Sequence, residues 1–196
     1  MCHHIIVNYI VYNFIFNMRL ITKILIIFSL SIVHAYSACD FKVELGVKRK
    51  AFESLELTGP PLPLEYEDFD VYGILADDIC PDQKLKEVAI EYKFLKDELV
   101  AINLIALNDD RNLVSESLIM MNYFKKNFGN FETPDNPRSY TGYEVIDKNN
   151  EFYVYGRIVN DDGIIDEQIY ISNPELDTKL MDYMRNIEEQ QFKAEQ

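Results

Sequence analysis

The chain has 196 residues, 13% of them aromatic, and carries 19 basic and 33 acidic side chains, for a formal net charge of −14. An acidic surface repels the phosphate backbone of nucleic acids and the anionic surface of membranes, so both are poor partners. All three histidines, His3, His4 and His34, lie in the first 34 residues. Ser-His-Asp and Cys-His nucleophile activation, and most catalytic zinc sites, are therefore excluded from the rest of the chain.

The first 38 residues have the features of a secretory signal. Arg19 and Lys23 precede an apolar run over residues 24–33, and His-Ala-Tyr-Ser-Ala follows it, in the basic, apolar and small-residue order of such signals. This run is far shorter than the roughly 20 residues that a membrane-spanning helix needs. We therefore predict that residues 1–38 are a cleaved signal peptide, in which residues 1–17 are an over-extended start before Met18. A two-part hydrophobic anchor is the alternative.

Cleavage after Ala38 leaves 158 residues with 17 basic and 33 acidic side chains, a net charge of −16. A surface with this excess of acid keeps a small exported domain soluble and monomeric, and it favours cations or basic proteins as partners. The length is sufficient for one domain with its own hydrophobic core. We expect the mature protein in the periplasm or secreted into the medium, with no membrane span after cleavage.

Two cysteines remain in the mature chain, Cys39 and Cys80. In an oxidising compartment an even pair predicts a disulfide. The bond would close a loop of about 42 residues and stabilise the fold by roughly 4 kcal/mol in the chain-entropy model. A lipid on Cys39 is the alternative, although lipoprotein signals have an aliphatic residue three positions before the cysteine, where this chain has Tyr36.

The mature chain is predicted to consist of an N-terminal arm, residues 39–68, and a single α+β domain, residues 69–196. The arm ends in a stiff connector, because the prolines of Gly59-Pro-Pro-Leu-Pro63 fix backbone torsions and withhold hydrogen-bond donors. The domain opens with two β-rich runs, residues 88–95 and 99–107, joined by a short polar turn. One face of this hairpin is apolar and is predicted to face the core: Val88, Ile90, Tyr92 and Phe94.

A helix and a second group of strands follow. Apolar residues recur at helical spacing from Val114 to Phe128, and Gly129 ends the pattern. Asn173-Pro174-Glu175 then has the cap, first-turn proline and acid of a helix start. Between them lie three predicted strands, residues 143–147, 151–159 and 164–172. This order predicts an α+β fold, one antiparallel sheet built from hairpins with two helices packed on one face, and it allows a duplicated sheet-helix unit.

The last hairpin contains the candidate site residues. If residue 159 pairs with residue 164 across Asn160-Asp-Asp-Gly163, Glu167 lies alone among apolar side chains. Burial would raise its pKa and suit it to general acid chemistry, whereas a bulge or edge position would let it reach water. The opposite face would then form a ligand-binding platform, unless another element covers it, and consists of Tyr153, Tyr155, Arg157 and Tyr170.

No motif in the chain is typical of a metal, phosphate or redox site. The Asp pairs at residues 77–78, 109–110 and 161–162 are typical of turns, and no complete calcium loop surrounds them. Neither a metal nor a cofactor is therefore predicted. Four segments, SACDFK, IEYKFLKDELVAINLIALND, MNYFKKNFGNFET and IYISN, together resemble an uncharacterised family of small exported bacterial proteins. The resemblance implies export and a shared fold, and it transfers no activity and no site residues.

The predicted function is that of an exported, non-catalytic binding or scaffold domain, monomeric, that binds a protein or a small ligand. This function requires Tyr153, Tyr155 and Tyr170 to be exposed together. The alternative is a small carboxylate-dependent hydrolase centred on Glu167. It requires Glu167 to be buried beside a cleft, with a second acid about 5 to 10 Å away.

Overall fold

A computed structural model describes residues 41–64 and 66–194. Six antiparallel strands form one sheet in the order β1-β2-β3-β6-β5-β4. The strands are β1 (Phe69–Leu75), β2 (Val88–Leu95), β3 (Glu98–Ala106), β4 (Gly142–Lys148), β5 (Glu151–Val159) and β6 (Ile165–Ser172). The α-helices of the described residues are α1 (Arg49–Glu53), α2 (Ala76–Ile79), α3 (Leu113–Glu116), α4 (Ile119–Asn127) and α5 (Pro174–Ala194). The predicted α+β class is confirmed.

The hairpin β2-β3 forms where the sequence predicts it. Its turn residues Lys96 and Asp97 both have positive φ, 47° and 74°, as the tight turns that match strand twist require. Across the pair, Tyr92 lies opposite Ile102, and both side chains are fully buried. The apolar alternation of these strands therefore predicts their core side correctly.

The sheet has two faces with separate hydrophobic cores. On what we call the first face, Tyr92 and Ile102 are in one cluster with Phe124 of α4. On the second face, Val71 and Val100 are in another cluster with Leu176 and Leu180 of α5. The two longer helices therefore pack on opposite faces of the sheet. The prediction that they share one face is wrong, because the periodicity of a helix shows that it has an apolar side but not which surface that side meets.

The two halves of the sheet repeat their strand order but not their helix placement. Each half is a three-stranded meander, and antiparallel pairing of β3 with β6 joins the two. If the two halves were copies of one sheet-helix unit, a two-fold axis between β3 and β6 would relate them. Because β3 and β6 are antiparallel, this axis would be perpendicular to the sheet, and the helix that follows each half would lie on the same face. Because α4 and α5 lie on opposite faces, a duplicated sheet-helix unit accounts for the strand order alone.

The helix predicted up to Phe128 is two helices. Leu118 has a left-handed backbone, with φ of 59°, and separates α3 from α4. The Ser117 hydroxyl donates to the carbonyl of Val114, a local bond that competes with continued helix. The turn at Leu118 lets Val114, Met120 and Phe124 all reach the first-face core.

The segment predicted as an arm is part of the folded domain. Phe41 and Phe52 are 2% and 1% exposed and belong to the first-face core. The Tyr92 hydroxyl donates to the Phe41 carbonyl at 2.8 Å. The connector also touches the sheet, because the Leu62 amide donates to the Val71 carbonyl of β1 at 2.7 Å.

The final helix begins as its capping residues predict. The Asn173 side chain accepts a hydrogen bond from the Leu176 amide at 2.9 Å, and Pro174 is the first residue of α5. Among the described residues, no helix is long and apolar enough to cross a membrane.

The predicted signal peptide, residues 1–38, and Cys39 lie outside the described residues. Cys80 is described, and it is buried in the first-face core at 3% exposure. The Cys39–Cys80 disulfide and the alternative lipid on Cys39 therefore stay predictions.

Candidate binding surface

The predicted tyrosine platform is divided between the two faces. Tyr153, Tyr155 and Arg157 lie on the first face, where they are 4%, 0% and 2% exposed. Tyr170 lies on the second face, and its hydroxyl donates to Asp177 of α5 at 2.6 Å. The prediction that these four side chains form one exposed surface is wrong.

A one-residue difference in register explains this error. Val159 pairs with Ile165, not with Ile164, so every residue of β5 faces opposite to the prediction relative to β6. The cause is Asn160, whose side chain accepts hydrogen bonds from the Asp162 and Ile164 amides and holds a five-residue loop in place of the predicted four. The register therefore places Arg157 directly opposite Glu167.

Glu167 is fully buried on the first face, as predicted. The Tyr155 hydroxyl donates to its Oε1 atom at 2.5 Å. Burial raises the pKa of the Glu167 carboxyl, and the Glu116 carboxylate adds to the rise; the hydroxyls of Ser115 and Tyr155 and the Arg157 guanidinium oppose it. A buried carboxyl of this kind is stabilised in its protonated form.

Arg157 lies opposite Glu167 on the neighbouring strand, and its guanidinium contacts Tyr140 and Glu116. Its Nη1 atom donates to the Tyr140 carbonyl at 2.6 Å, and its Nη2 atom lies 3.6 Å from Oε1 of Glu116, whose side chain is 43% exposed. The Nε and Nη2 atoms are buried without a hydrogen-bond partner. The chain therefore buries a charged group that is only partly compensated, as strained or specialised polar clusters do.

The two cavities of the described part of the chain that lie beside α5 do not reach Glu167. Two solvent-open cavities, of about 590 and 460 Å³, lie beside the middle and the C-terminal half of α5 and share Lys96, Tyr183 and Asn186 in their walls. Neither is lined by Glu167, Tyr155 or Arg157. Glu167 is therefore not in the wall of either of these two cavities.

The most exposed apolar part of the sheet lies on the second face of β4 and β5. Helix α5 packs on β1, β2 and β3 and contacts Tyr170 of β6, and its hydrophobic cluster contains no residue of β4 or β5. Tyr143 and Val145 of β4 are 62% and 57% exposed, and three apolar side chains of β5 beside them are half-buried. We call this set the open face: Tyr143, Val145, Phe152, Val154 and Ile158.

Gly156 shapes the open face. It pairs with Tyr143 across β4 and β5, and a Cβ atom at this position would lie 2.9 Å from Cε1 of the Tyr143 ring. The missing side chain therefore lets the ring lie across the neighbouring strand, which is how an aromatic residue compensates a glycine in a sheet. The Tyr143 ring therefore covers Gly156, which is buried.

The open face borders the free edge of the sheet. Strand β4 pairs with β5 on one side, and no described strand pairs with its other side. At the opposite edge, β1 is accompanied by the connector through the Leu62 amide, and Pro61 and Pro63 beside it lack donors. The two edges thus differ, because one is shielded by a proline-containing segment and the other is not.

The charge around the open face is negative. Residues 142–172 contain seven acidic and two basic side chains, and one of each kind, Glu167 and Arg157, is buried. Lys148 is the exposed basic one. Four aspartates in this part of the chain are exposed: Asp147, Asp161, Asp162 and Asp166.

Tyr143 and Val145 were not predicted as site residues, although the sequence predicts their strand. The signal available was the alternation of β4, in which Tyr143 and Val145 face opposite to Ile146. Alternation does not show that a strand is at an edge or that a helix stops short of it.

No family model, no curated protein and no solved structure matches this chain. The part of the chain that the structure describes contains no group of three or more side chains that could hold a metal ion. Function is therefore inferred from the geometry of the chain itself.

Proposed function

We propose that this protein is an exported, non-catalytic binding domain that holds a protein partner on its open face. The observation that carries the proposal is the exposure of Tyr143 and Val145, at 62% and 57%, beside a sheet edge that no described strand pairs. Contiguous apolar side chains at the surface of a monomeric domain are typical of interaction sites. The apolar body and polar tip of tyrosine suit such a surface.

Three features support a binding role over a catalytic one. The chain from residue 35 onward contains no histidine, so the usual base for activating a nucleophile is missing. Glu167 is fully buried. The open face itself carries aromatic and aliphatic groups, which supply contact area but no acid, base or nucleophile.

Export is part of the proposal and rests on the sequence of residues 1–38. Their basic, apolar and small-residue order is that of a secretory signal. The mature domain would act in the periplasm or in the medium, as a monomer kept apart by its net charge of −16.

Site-specific photo-crosslinking tests the binding role. The photoreactive residue p-benzoylphenylalanine replaces Tyr143 in one variant and Met181, a 47% exposed residue of α5, in a matched control. After irradiation of the cells that produce the protein, we expect a discrete adduct from position 143 that is lost when Val145→Lys is added. Equal adducts from both positions, or none from position 143, would contradict the proposal.

The alternative function is a carboxylate-dependent hydrolase centred on Glu167. Its support is the raised pKa of Glu167 and a second acid, Glu116, whose carboxylate lies 3.6 Å from the Arg157 guanidinium and contributes to that rise. It would require the first-face core to open, because Glu167 is fully buried. Glycosidase and esterase assays on the purified protein, with Glu167→Gln as the inactive control, separate the two functions.

A further inference from the structure

The outer edge of β4 is a regular template for another strand. The pairing of β4 with β5 runs without interruption from Gly142 opposite Arg157 to Lys148 opposite Glu151. The strand contains no proline and no bulge, two of the devices that prevent a free edge from pairing, and its one basic side chain, Lys148, lies at its end. Its outward backbone groups are therefore arranged to accept an extended segment, as in recognition by strand addition.

The side chains of β4 define what such a segment must carry. On the second face, a new strand would lie beside Tyr143 and Val145, which favours apolar side chains there. On the first face it would lie beside Glu144, Ile146 and Lys148. Glu144 is a half-buried carboxylate that accepts a hydrogen bond from the Tyr140 hydroxyl at 3.1 Å. A strand with apolar residues on the second face and a basic residue beside Glu144 matches both surfaces.

The negative charge of the chain favours a basic partner at β4 over a second copy of the same chain. Exposed aspartates outnumber exposed basic groups around the open face, and the predicted mature chain has a net charge of −16. Two copies that paired through β4 would bring like charges together, whereas a cationic segment would be attracted.

We propose that the partner presents an extended cationic segment of alternating basic and apolar residues, which adds to β4 as a seventh strand. This inference rests on the proposed function and specifies the class of partner and the way it is held. The backbone of β4 supplies affinity, Tyr143 and Val145 select apolar side chains, and the acidic surroundings select positive charge.

Fluorescence anisotropy with labelled peptides tests the inference on the purified protein. The probe is the heptapeptide KVKVKVK. One control is EVEVEVE, which reverses the charge, and the other is KVKVKVK with N-methylated backbone amides, which keeps charge and side chains but removes the donors. We expect both controls to bind about tenfold or more weakly than the probe. The affinity of the probe should fall as salt rises, because part of it is electrostatic.

A matched pair of variants locates the binding site. Tyr143→Lys combined with Val145→Lys places two positive charges on the open face and should weaken probe binding about tenfold or more, because like charges then meet. Met181→Lys combined with Leu107→Lys makes the same change at two other exposed apolar positions and should leave binding nearly unchanged. Unchanged circular dichroism and unfolding midpoints would show that both variants fold.

The outcomes separate this inference from the proposed function. If the N-methylated peptide binds as well as the probe, strand addition is wrong. If EVEVEVE binds as well, the cationic class is wrong. Either result, together with an adduct from position 143 in the crosslinking experiment, leaves the open face as the binding site; the absence of that adduct overturns both.

Discussion

The two halves of the second sheet face carry similar side chains in different surroundings. On β1, β2 and β3, the apolar residues are buried under Leu176 and Leu180 of α5. On β4, Tyr143 and Val145 are more than half exposed. Both halves place apolar side chains on this face, and among the described residues a helix packs only on those of β1, β2 and β3 and on Tyr170 of β6.

This difference shows that the apolar side chains of a sheet face are buried only where another element packs on them. In the covered half, the last helix of the same chain buries them. In the open half, no described element does, and the surface lies next to an unpaired strand edge. The proposed function assigns the burial of this surface to a protein partner.

The largest expected effect comes from the covered half. Leu180→Ala removes a side chain that is 4% exposed and should lower the free energy of unfolding by about 2 to 4 kcal/mol. The matched change in the open half, Val145→Ala, should stay within about 0.5 kcal/mol, because that side chain is 57% exposed. Urea denaturation followed by circular dichroism measures both, and equal losses would show that Val145 is covered in solution.

A pH-dependent effect is expected beneath the open half, at Glu167. Because burial raises the pKa of Glu167 in the folded state, its protonated form is favoured there. Stability from this group is present at pH values below its unfolded pKa and is lost as the pH rises through the folded pKa. Glu167→Gln should remove this loss, which is on the order of 1.4 kcal/mol for each unit of pKa difference.

Denaturation of both proteins at several pH values between 4 and 8 provides the measurement for Glu167. The unfolding free energy of the Gln variant, relative to the parent protein, should increase with pH. The Tyr155 hydroxyl can still donate to the amide oxygen of the variant, so the hydrogen bond is retained. A difference that stays constant over this range would contradict a raised pKa.

The boundary between the two halves is held in part by Tyr170. Its hydroxyl donates to Asp177 at 2.6 Å, and burial raises the pKa of this hydroxyl. Tyr170→Phe should cost about 1 kcal/mol of unfolding free energy, because the hydrogen bond is lost while the ring is kept. The crosslink from position 143 should persist in this variant, and its loss would mean that α5 and the open face are coupled.

The smallest expected effect concerns Gly156 and the Tyr143 ring. In the parent protein, the added Cβ of Gly156→Ala would displace this ring, so the change should be neutral or slightly destabilising. In a Tyr143→Ala background the same change should stabilise by about 0.5 kcal/mol, because alanine restricts the unfolded chain more than glycine does. A double-mutant cycle measures the change of sign, and additive effects would contradict the contact.

Local patterns in the sequence predict part of this fold correctly. The β2-β3 hairpin, the buried side of β6 and the start of α5 at Asn173 all follow from alternation, turn residues and capping. The burial of Glu167 also follows, since it alternates with Ile165 and Ile169 in β6. Each of these features is decided within a few residues of the chain.

The features that the sequence does not predict depend on contacts between distant segments or on one side chain in a loop. Asn160 adds a residue to the last turn and so reverses the faces of β5, which places Tyr153 and Tyr155 in the core. Helix α5 meets the second face because its apolar side matches β1 and β3, which lie far back in the chain. The open face is exposed because of the register of β5 and the position of α5.

The most direct measurement is a crosslinking scan of apolar positions of the protein, exposed or half-buried, in the cells that produce it. p-Benzoylphenylalanine would be placed one position at a time at Tyr143, Val145 and Ile158 in the open face, and at Leu75, Leu107 and Met181 elsewhere. We expect the same adduct from the first three positions and none from the others. Adducts spread evenly over all six positions, or confined to the last three, would show that the open face is not the binding surface.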